Sequence, residues 1–306
     1  MNQTKTEIKN AAKEILNQSL TDIQLHSEGA YSRVFKAKNN KTAEEIIIKV
    51  YYKNGFMRQE IRELDELRKY SGVPVPVIYG CRYGDEKTSD LFFMEHMRGV
   101  PVRWVEFADE SEKEKIADAV VDAHIELHNN INPKGFGNLD CETYSKSWES
   151  LYKSRVDGYY KFLTELKDSP VTDKAKPFIE EAYYNFDAVF TQPVKDASLI
   201  YGDFKMKNIL IDPKTFKLTA ILDPMGCGYG DRESDLFPYI NHPEDIKFGF
   251  LENYASKIRL SDKFPLKNMY YFLWNEIKLF VYMGYCMNDA YEEIGQNLHD
   301  MIKYGW

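Results

Sequence analysis

Strand-like patterns fill the first third of the chain and helical patterns fill most of the rest, and this change restricts the possible folds more than any other feature. Residues 25–52 hold runs of β-branched and aromatic side chains separated by polar turn residues, which predicts a hairpin and a further strand. From residue 110 onward apolar residues recur at helical spacing, apart from short strand-like runs at 197–223. We therefore expect an α+β fold with an N-terminal lobe, residues 1–97, built on an antiparallel sheet, and a mainly helical C-terminal lobe, residues 98–306.

The charge balance argues against nucleic acid as a partner. Forty basic residues stand against 48 acidic ones, which gives a net charge of −8. A protein that neutralises phosphates needs the opposite sign, so cationic small molecules fit better than DNA, RNA or anionic lipid. The same charge is also typical of ordinary soluble proteins.

Cysteine usage and the apolar segments indicate the compartment. The four cysteines are widely spaced and form no C-x-x-C pair, which favours neither a zinc site nor a disulfide framework. Residues 1–16 are polar and contain no apolar signal core, and the apolar segment 270–287 is interrupted by charged residues. We expect a cytoplasmic protein with reduced thiols and no membrane span.

A carboxylate and a carboxamide lie five positions apart in the segment Y-G-D-F-K-M-K-N, residues 201–208. Phosphoryl transfer needs cations that bridge phosphate oxygens and a group that orients or deprotonates the acceptor hydroxyl. Asp203 is the candidate for the hydroxyl, and Asn208 is the candidate ligand for Mg²⁺, which prefers oxygen donors. Lys205 or Lys207 could offset charge on the transferred phosphoryl group. Such a pair is also common in turns, because Asp and Asn both form local hydrogen bonds.

A second carboxylate, Asp223, ends the strand-like run 218–222, fifteen positions after Asn208. It is the predicted second Mg²⁺ ligand, because the carboxamide and this carboxylate together supply the hard oxygen donors that Mg²⁺ needs. An aspartate that ends a strand before a proline is also a common turn arrangement.

An isolated lysine, Lys49, stands in the apolar run 46–50. Burying an unpaired ammonium is costly, so a buried lysine requires a carboxylate partner. Glu63, fourteen positions further on in a predicted helix, is the favoured partner, and Glu60, one turn away, is its rival. The alternative is a solvent-facing lysine on an edge strand.

These elements, in this order and spacing, resemble the aminoglycoside phosphotransferase and choline kinase group of small-molecule kinases, whose fold is similar to that of protein kinases. The resemblance implies ATP or GTP as phosphate donor, with Mg²⁺, and a small-molecule hydroxyl acceptor. It implies catalytic roles for the aspartate and first lysine of the 201–208 loop. It further implies nucleotide contacts from residues outside that loop, namely Ser32, Lys49 with Glu63, and the backbone groups of Glu95 and Met97.

Some residues depart from the pattern of this group or carry structural roles within it. Tyr201 stands where the group usually has the histidine of H-G-D, which raises a question about how the loop is supported. Asp223 is followed by proline rather than by tryptophan or phenylalanine. We interpret Asp231 and Asp235 as caps and loop braces, and His128 as a packed helix residue.

Two acceptor classes remain open within this group. An aminoglycoside or related amino sugar fits a set of acidic residues in the C-terminal helices: Glu276, Asp289, Glu292 and Glu293. A fructosamine-type ketosamine fits segments 147–155 and 228–236, which look similar to fructosamine kinases, although the 202–208 loop lacks the tryptophan of that subfamily. The amino sugar ranks slightly ahead.

Two further classes serve as alternatives. The D-x-K-x-x-N pattern of residues 203–208 is also typical of serine/threonine protein kinases, but the chain lacks D-F-G, A-P-E and a glycine-rich loop. A pseudokinase that binds nucleotide without catalysis would have no need of Lys49, Asp203, Asn208 and Asp223 together.

Overall fold

The computed structural model describes residues 2–305, with side chains from residue 4 onward. The strands are β1 Leu20–Glu28, β2 Ser32–Asn39, β3 Glu45–Tyr51, β4 Ile78–Arg82, β5 Leu91–Glu95, β6 Val100–Pro101, β7 Gly137–Asn138, β8 Ser198–Ile200, β9 Ile209–Ile211, β10 Leu218–Ile221 and β11 Gly228–Gly230. The α-helices are α1 Asn2–Leu16, α2 Phe56–Tyr70, α3 Glu110–His128, α4 Trp148–Glu165, α5 Ala175–Tyr184, α6 Phe186–Val189, α7 Pro238–Asn241, α8 Pro243–Ile246, α9 Phe250–Lys257, α10 Phe264–Met283 and α11 Asn288–Tyr304; short 3₁₀ helices span Val102–Trp104 and Arg232–Asp235.

The chain forms two compact units. The first takes in the chain up to Val105 together with Lys207–Pro224, and the second takes in Glu106–Met206 together with the chain from Met225 onward. This division differs from the predicted boundary after residue 97. The physical reason is a small antiparallel sheet, in the order β10-β9-β6, which ties the segment after β5 to the β9–β10 hairpin.

The first unit is built on a five-stranded antiparallel sheet in the order β1-β2-β3-β5-β4, which confirms the predicted hairpin and third strand. Helix α1 packs on one face, where Ile8 and Ala11 share a core with Ile46 and Ile48 of β3. Successive side chains of a strand point to opposite faces, so Lys49 lies on the face away from α1. Lys49 is buried there because β3 is a central strand.

The second unit is mainly helical. Helix α3 begins at the N-cap Asp109, whose carboxylate accepts the Glu112 N–H at 3.0 Å, and its predicted apolar face is buried. Helices α4, α10 and α11 enclose an aromatic core that includes Trp148, Trp274 and Tyr291. None of the helices in the described part of the chain is long and apolar enough to cross a membrane.

Candidate active site

Lys49 is held by two carboxylates of the first unit. Its Nζ lies 2.7 Å from Glu60 Oε2 and also contacts the carboxylate of Asp223. Burial alone lowers the pKa of Lys49, but the negative charges of Asp223 and Glu60 outweigh burial and raise the pKa above its usual value. Lys49 is therefore a fixed positive charge next to Asp223, which follows β10.

The predicted pairing of Lys49 with Glu63 is corrected by the structure, because Glu60 occupies that place. The Tyr51 hydroxyl also donates to Glu60, whereas Glu63 accepts a hydrogen bond from Gln59 Nε2 at 2.8 Å. Both glutamates are buried and lie one turn apart on α2. Their spacing in the sequence left both as candidates and did not determine which turn of α2 lies opposite β3.

The β9–β10 hairpin brings the two candidate Mg²⁺ ligands to one end. Ile209 pairs with Ile221, and the Leu222 N–H donates to the Asn208 carbonyl at 2.8 Å, so Asn208 and Asp223 flank the same end of the hairpin. Asp223 has φ 57°, a left-handed conformation that is unusual for a residue other than glycine. A carboxamide and a carboxylate are hard oxygen donors that suit Mg²⁺, so the residues present fit this ion.

The loop after β8 carries Asp203, in the second unit. Lys205 Nζ lies 2.7 Å from Asp203 Oδ1, and both side chains are less than a fifth exposed, at 18% and 14%. Buried Glu276 of α10 experiences the charges of both residues. Burial raises the pKa of Glu276, Lys205 lowers it and Asp203 raises it further. Lys205 is thus placed next to the candidate catalytic aspartate.

This loop is braced through its backbone. Asp235 accepts the N–H groups of Tyr201 and Gly202 at 2.6 and 2.8 Å, which confirms its interpretation as a loop brace. Gly202 has φ 86°, and a Cβ there would lie 2.4 Å from the Met225 carbonyl oxygen, so only glycine fits. Asp231 accepts the Glu233 N–H at 3.0 Å as the N-cap of the second 3₁₀ helix, as predicted.

The remaining predicted nucleotide contacts lie at strand ends of the first unit. Ser32 begins β2, and its carbonyl accepts the Gly29 N–H at 2.9 Å, which closes the short loop before the strand. Glu95 ends β5 and its N–H donates to the Val77 carbonyl at 2.9 Å, so its own carbonyl is the candidate group for adenine. Met97 follows in the connecting segment and is half-buried.

The acidic residues proposed for the acceptor differ in their surroundings. Glu276 is 8% exposed and lies within the electrostatic influence of Asp203. Glu292 accepts a hydrogen bond from Thr172 Oγ1 at 2.9 Å, and Asp289 and Glu293 are exposed. Glu276 is therefore the member of this set that best suits a role at the loop.

The two segments that look similar to fructosamine kinases pack against each other. Trp148 Nε1 donates to the Tyr271 hydroxyl at 2.7 Å, and that hydroxyl donates to Asp231 at 2.7 Å. A Cβ added at Gly230 would lie 2.9 Å from Trp148 Cζ3, so the indole ring covers this glycine. The two segments therefore pack together with α10 at the second 3₁₀ helix.

A small-molecule kinase needs a positive charge for the phosphates and a carboxylate for the acceptor hydroxyl. Lys49, beside Asp223, is such a charge, and Asp203, paired with Lys205, is such a carboxylate. Sequence comparison agrees with this class. A model described as the phosphotransferase enzyme family matches residues 22–258, the greater part of the chain. The chain belongs to this family and is a small-molecule kinase.

Similarity to individual proteins is more distant. The uncharacterized protein YcbJ of Escherichia coli K12 is 24% identical over 241 residues, which cover 75% of this chain and 76% of YcbJ. A solved structure from Haemophilus somnus 129PT, designated a fructosamine-3-kinase, has a TM-score of 0.70 at 16% identity and covers 97% of each chain. The ternary complex of APH(2″)-IIa with streptomycin and ATP has a TM-score of 0.66 at 16% identity and also covers 97% of each chain. These structures support the kinase-like fold.

Proposed function

We propose that this kinase moves the γ-phosphate of ATP to a hydroxyl group of a cationic small molecule, with an aminoglycoside or related amino sugar as the first candidate. The observation that carries the proposal is the Asp203–Lys205 pair, 2.7 Å apart and mostly shielded from solvent. A carboxylate in this position is suited to accept a proton from a hydroxyl group. The complex of the neighbour APH(2″)-IIa with streptomycin and ATP supports a nucleotide donor and a small-molecule acceptor.

In the proposed reaction the acceptor hydroxyl gives its proton to Asp203 while its oxygen forms a bond to the γ-phosphorus. The bond from that phosphorus to the oxygen bridging to the β-phosphate breaks, and ADP leaves. Lys205 stabilises negative charge on the transferred group. Asn208 and Asp223 would hold Mg²⁺, which would neutralise phosphate charge when bound.

The nucleotide is assigned to residues of the first unit. Lys49, fixed by Glu60, binds phosphate oxygens, and Ser32 contacts the phosphates from the short loop before β2. Backbone groups of Glu95 and Met97 bind adenine. The four cysteines are free thiols, which is consistent with the proposed cytoplasmic location.

A cationic acceptor is favoured by Glu276. Its carboxyl group is buried and lies within the electrostatic influence of Asp203 and Lys205, where an ammonium group of the acceptor would stabilise its charged form. A ketosamine also carries an amine, so it is the second candidate on the same observation.

The test is phosphate transfer across a panel of aminoglycosides, fructosyl-amines, choline-like alcohols and neutral sugars. Mg·ATP consumption is measured first, and mass spectrometry then identifies a product heavier by one phosphate group. Asp203→Asn serves as the inactive variant and Asp196→Asn, on an exposed residue, as the matched control. A product from an amine-bearing acceptor supports the proposal. A product from neutral sugars alone contradicts the cationic acceptor.

A further inference from the structure

The catalytic loop contains a tyrosine where a histidine is customary, so its support must come from elsewhere. Residues 201–208 include no histidine. The Tyr201 side chain is fully buried and packs edge-on against Phe204, with ring centroids 5.3 Å apart at 87°. Tyr201 thus fills space beneath the loop, and its backbone N–H is one of the two that Asp235 accepts.

An imidazole from helix α3 lies directly beside this loop. The His124 ring stacks on Phe204, with centroids 3.8 Å apart and an angle of 9°. Its Nε2 lies 3.1 Å from Asp235 Oδ2, and its Nδ1 lies 2.8 Å from the Tyr239 hydroxyl. His124 therefore contacts the Phe204 side chain of the loop and also Asp235, the carboxylate that holds the loop backbone.

The charge states of these groups follow from burial. Burial, together with neighbouring His128, lowers the pKa of His124 to about 4, so the ring is neutral at physiological pH. Burial alone would raise the pKa of Asp235, but the hydrogen bond from His124 and the nearby ring of His128, whose Nε2 lies 3.5 Å from Oδ2, hold it below its usual range. A neutral His124 satisfies all three groups. Its Nε2–H donates a hydrogen bond to ionised Asp235, and its Nδ1 accepts a hydrogen bond from the Tyr239 hydroxyl.

The same cluster has the composition of a metal site. Ligand atoms of His124, His128 and Asp235 all lie within 4.8 Å of one another, and His128 Nε2 is buried with no hydrogen-bond partner within normal distance. However, both oxygens of Asp235 already accept backbone N–H groups from the loop. That use of the carboxylate favours a loop brace over a metal ligand.

We propose that His124 is a positioning residue that replaces the customary loop histidine: it holds Asp235 against the backbone of Tyr201 and Gly202, packs on Phe204, and so sets the orientation of Asp203. This inference rests on the proposed catalytic role of Asp203. It assigns a function to His124, a residue of α3 that lies outside the loop motif of residues 201–208.

The first readout does not depend on the substrate. Amide hydrogen exchange of the segment 198–206 is compared between the wild type and His124→Phe, which keeps an aromatic ring but removes the Nε2–H donor. We expect exchange at Tyr201 and Gly202 to accelerate about tenfold or more, since Asp235 loses a charge-assisted hydrogen bond. His299→Phe, which removes an α11 histidine whose Nδ1 lies 2.7 Å from Glu181 of α5, is the matched control and should leave this segment unchanged.

The second readout separates positioning from general stability. With an acceptor in hand, His124→Phe should lower kcat per folded molecule about ten- to a hundredfold and leave KM for ATP within twofold. His124→Gln, which retains an N–H donor at similar reach, should recover most of the exchange protection and of kcat. If Asp203 is not catalytic, the exchange result still stands and only the kcat effect is lost, so the two failures are distinguishable.

Three results would overturn the proposal. One is unchanged exchange and kcat in His124→Phe. Another is a lower melting temperature with unchanged kcat per folded molecule when Asp203→Asn is itself inactive. The third is one equivalent of zinc in the purified wild type that His124→Phe removes. If His124→Phe does not fold, Tyr239→Phe replaces it, because it removes only the hydroxyl bonded to Nδ1, and unchanged loop exchange in that variant counts against the proposal.

Discussion

Replacing Glu60 by glutamine tests which carboxylate holds Lys49. Lys49 Nζ and Glu60 Oε2 lie 2.7 Å apart, and the two side chains are only 7% and 9% exposed. Removing one partner of a buried pair costs about 3–5 kcal/mol. Asp223 remains bonded to Lys49 and glutamine keeps a carbonyl acceptor, so we expect a loss at or just below the lower limit of this range, about 2–3 kcal/mol in the free energy of unfolding. Glu63→Gln keeps an acceptor for Gln59, and its expected cost is about 1 kcal/mol or less.

Urea unfolding followed by circular dichroism measures both losses at neutral pH, with Glu66→Gln as a control on the same helix. Mg·ATP affinity by calorimetry gives an independent reading. Glu60→Gln should weaken Mg·ATP binding more than tenfold because Lys49 loses its orientation, whereas Glu63→Gln should stay within about twofold. A larger loss from Glu63→Gln than from Glu60→Gln, in stability or in affinity, would refute the reasoning.

Three other perturbations follow from the second unit. Gly202→Ala should cost about 2–4 kcal/mol in the free energy of unfolding and abolish most turnover. The reason is that φ is 86° and the added Cβ would lie 2.4 Å from the Met225 carbonyl oxygen. The melting temperature and the turnover rate check this. Lowering the pH from about 6.5 to about 4 should remove up to about 3 kcal/mol of stability. The reason is that His124 takes up a proton in the unfolded chain, whereas burial holds its pKa near 4 in the folded protein. His124→Phe should flatten this part of the pH–stability curve. Trp148→Phe should cost about 1–3 kcal/mol in urea unfolding, because the Tyr271 hydroxyl loses a buried donor; a neutral effect would count against the network.

Regular patterns made much of this fold predictable. The alternating runs before residue 52 gave the hairpin and third strand, and the apolar face of α3 was readable from its spacing. Asp203 and Asp223 could be placed on loops because each follows an apolar run short enough to be a strand. Such features depend on neighbours in sequence, which is why the sequence reveals them.

Other features depend on contacts between distant segments. Strand β6 has two residues and is defined by its pairing with β9, more than 100 positions later, so the boundary of the first unit had no local signal. The position of α2 along its own axis, which selects Glu60 over Glu63, depends on how the helix packs on β3. The partner of Asp235 is His124, 111 positions away, and a motif search confined to the loop would miss it.

The most direct test of the account is a comparison of wild type, Asp203→Asn and Asp196→Asn in a phosphoryl-transfer assay, with Mg·ATP affinity measured on the same samples. The account predicts that Asp203→Asn loses about a hundred- to ten-thousandfold in turnover while Mg·ATP affinity is unchanged, and that Asp196→Asn matches the wild type. Turnover within about twofold of wild type in folded Asp203→Asn would contradict the assignment of Asp203 as the group that accepts the hydroxyl proton.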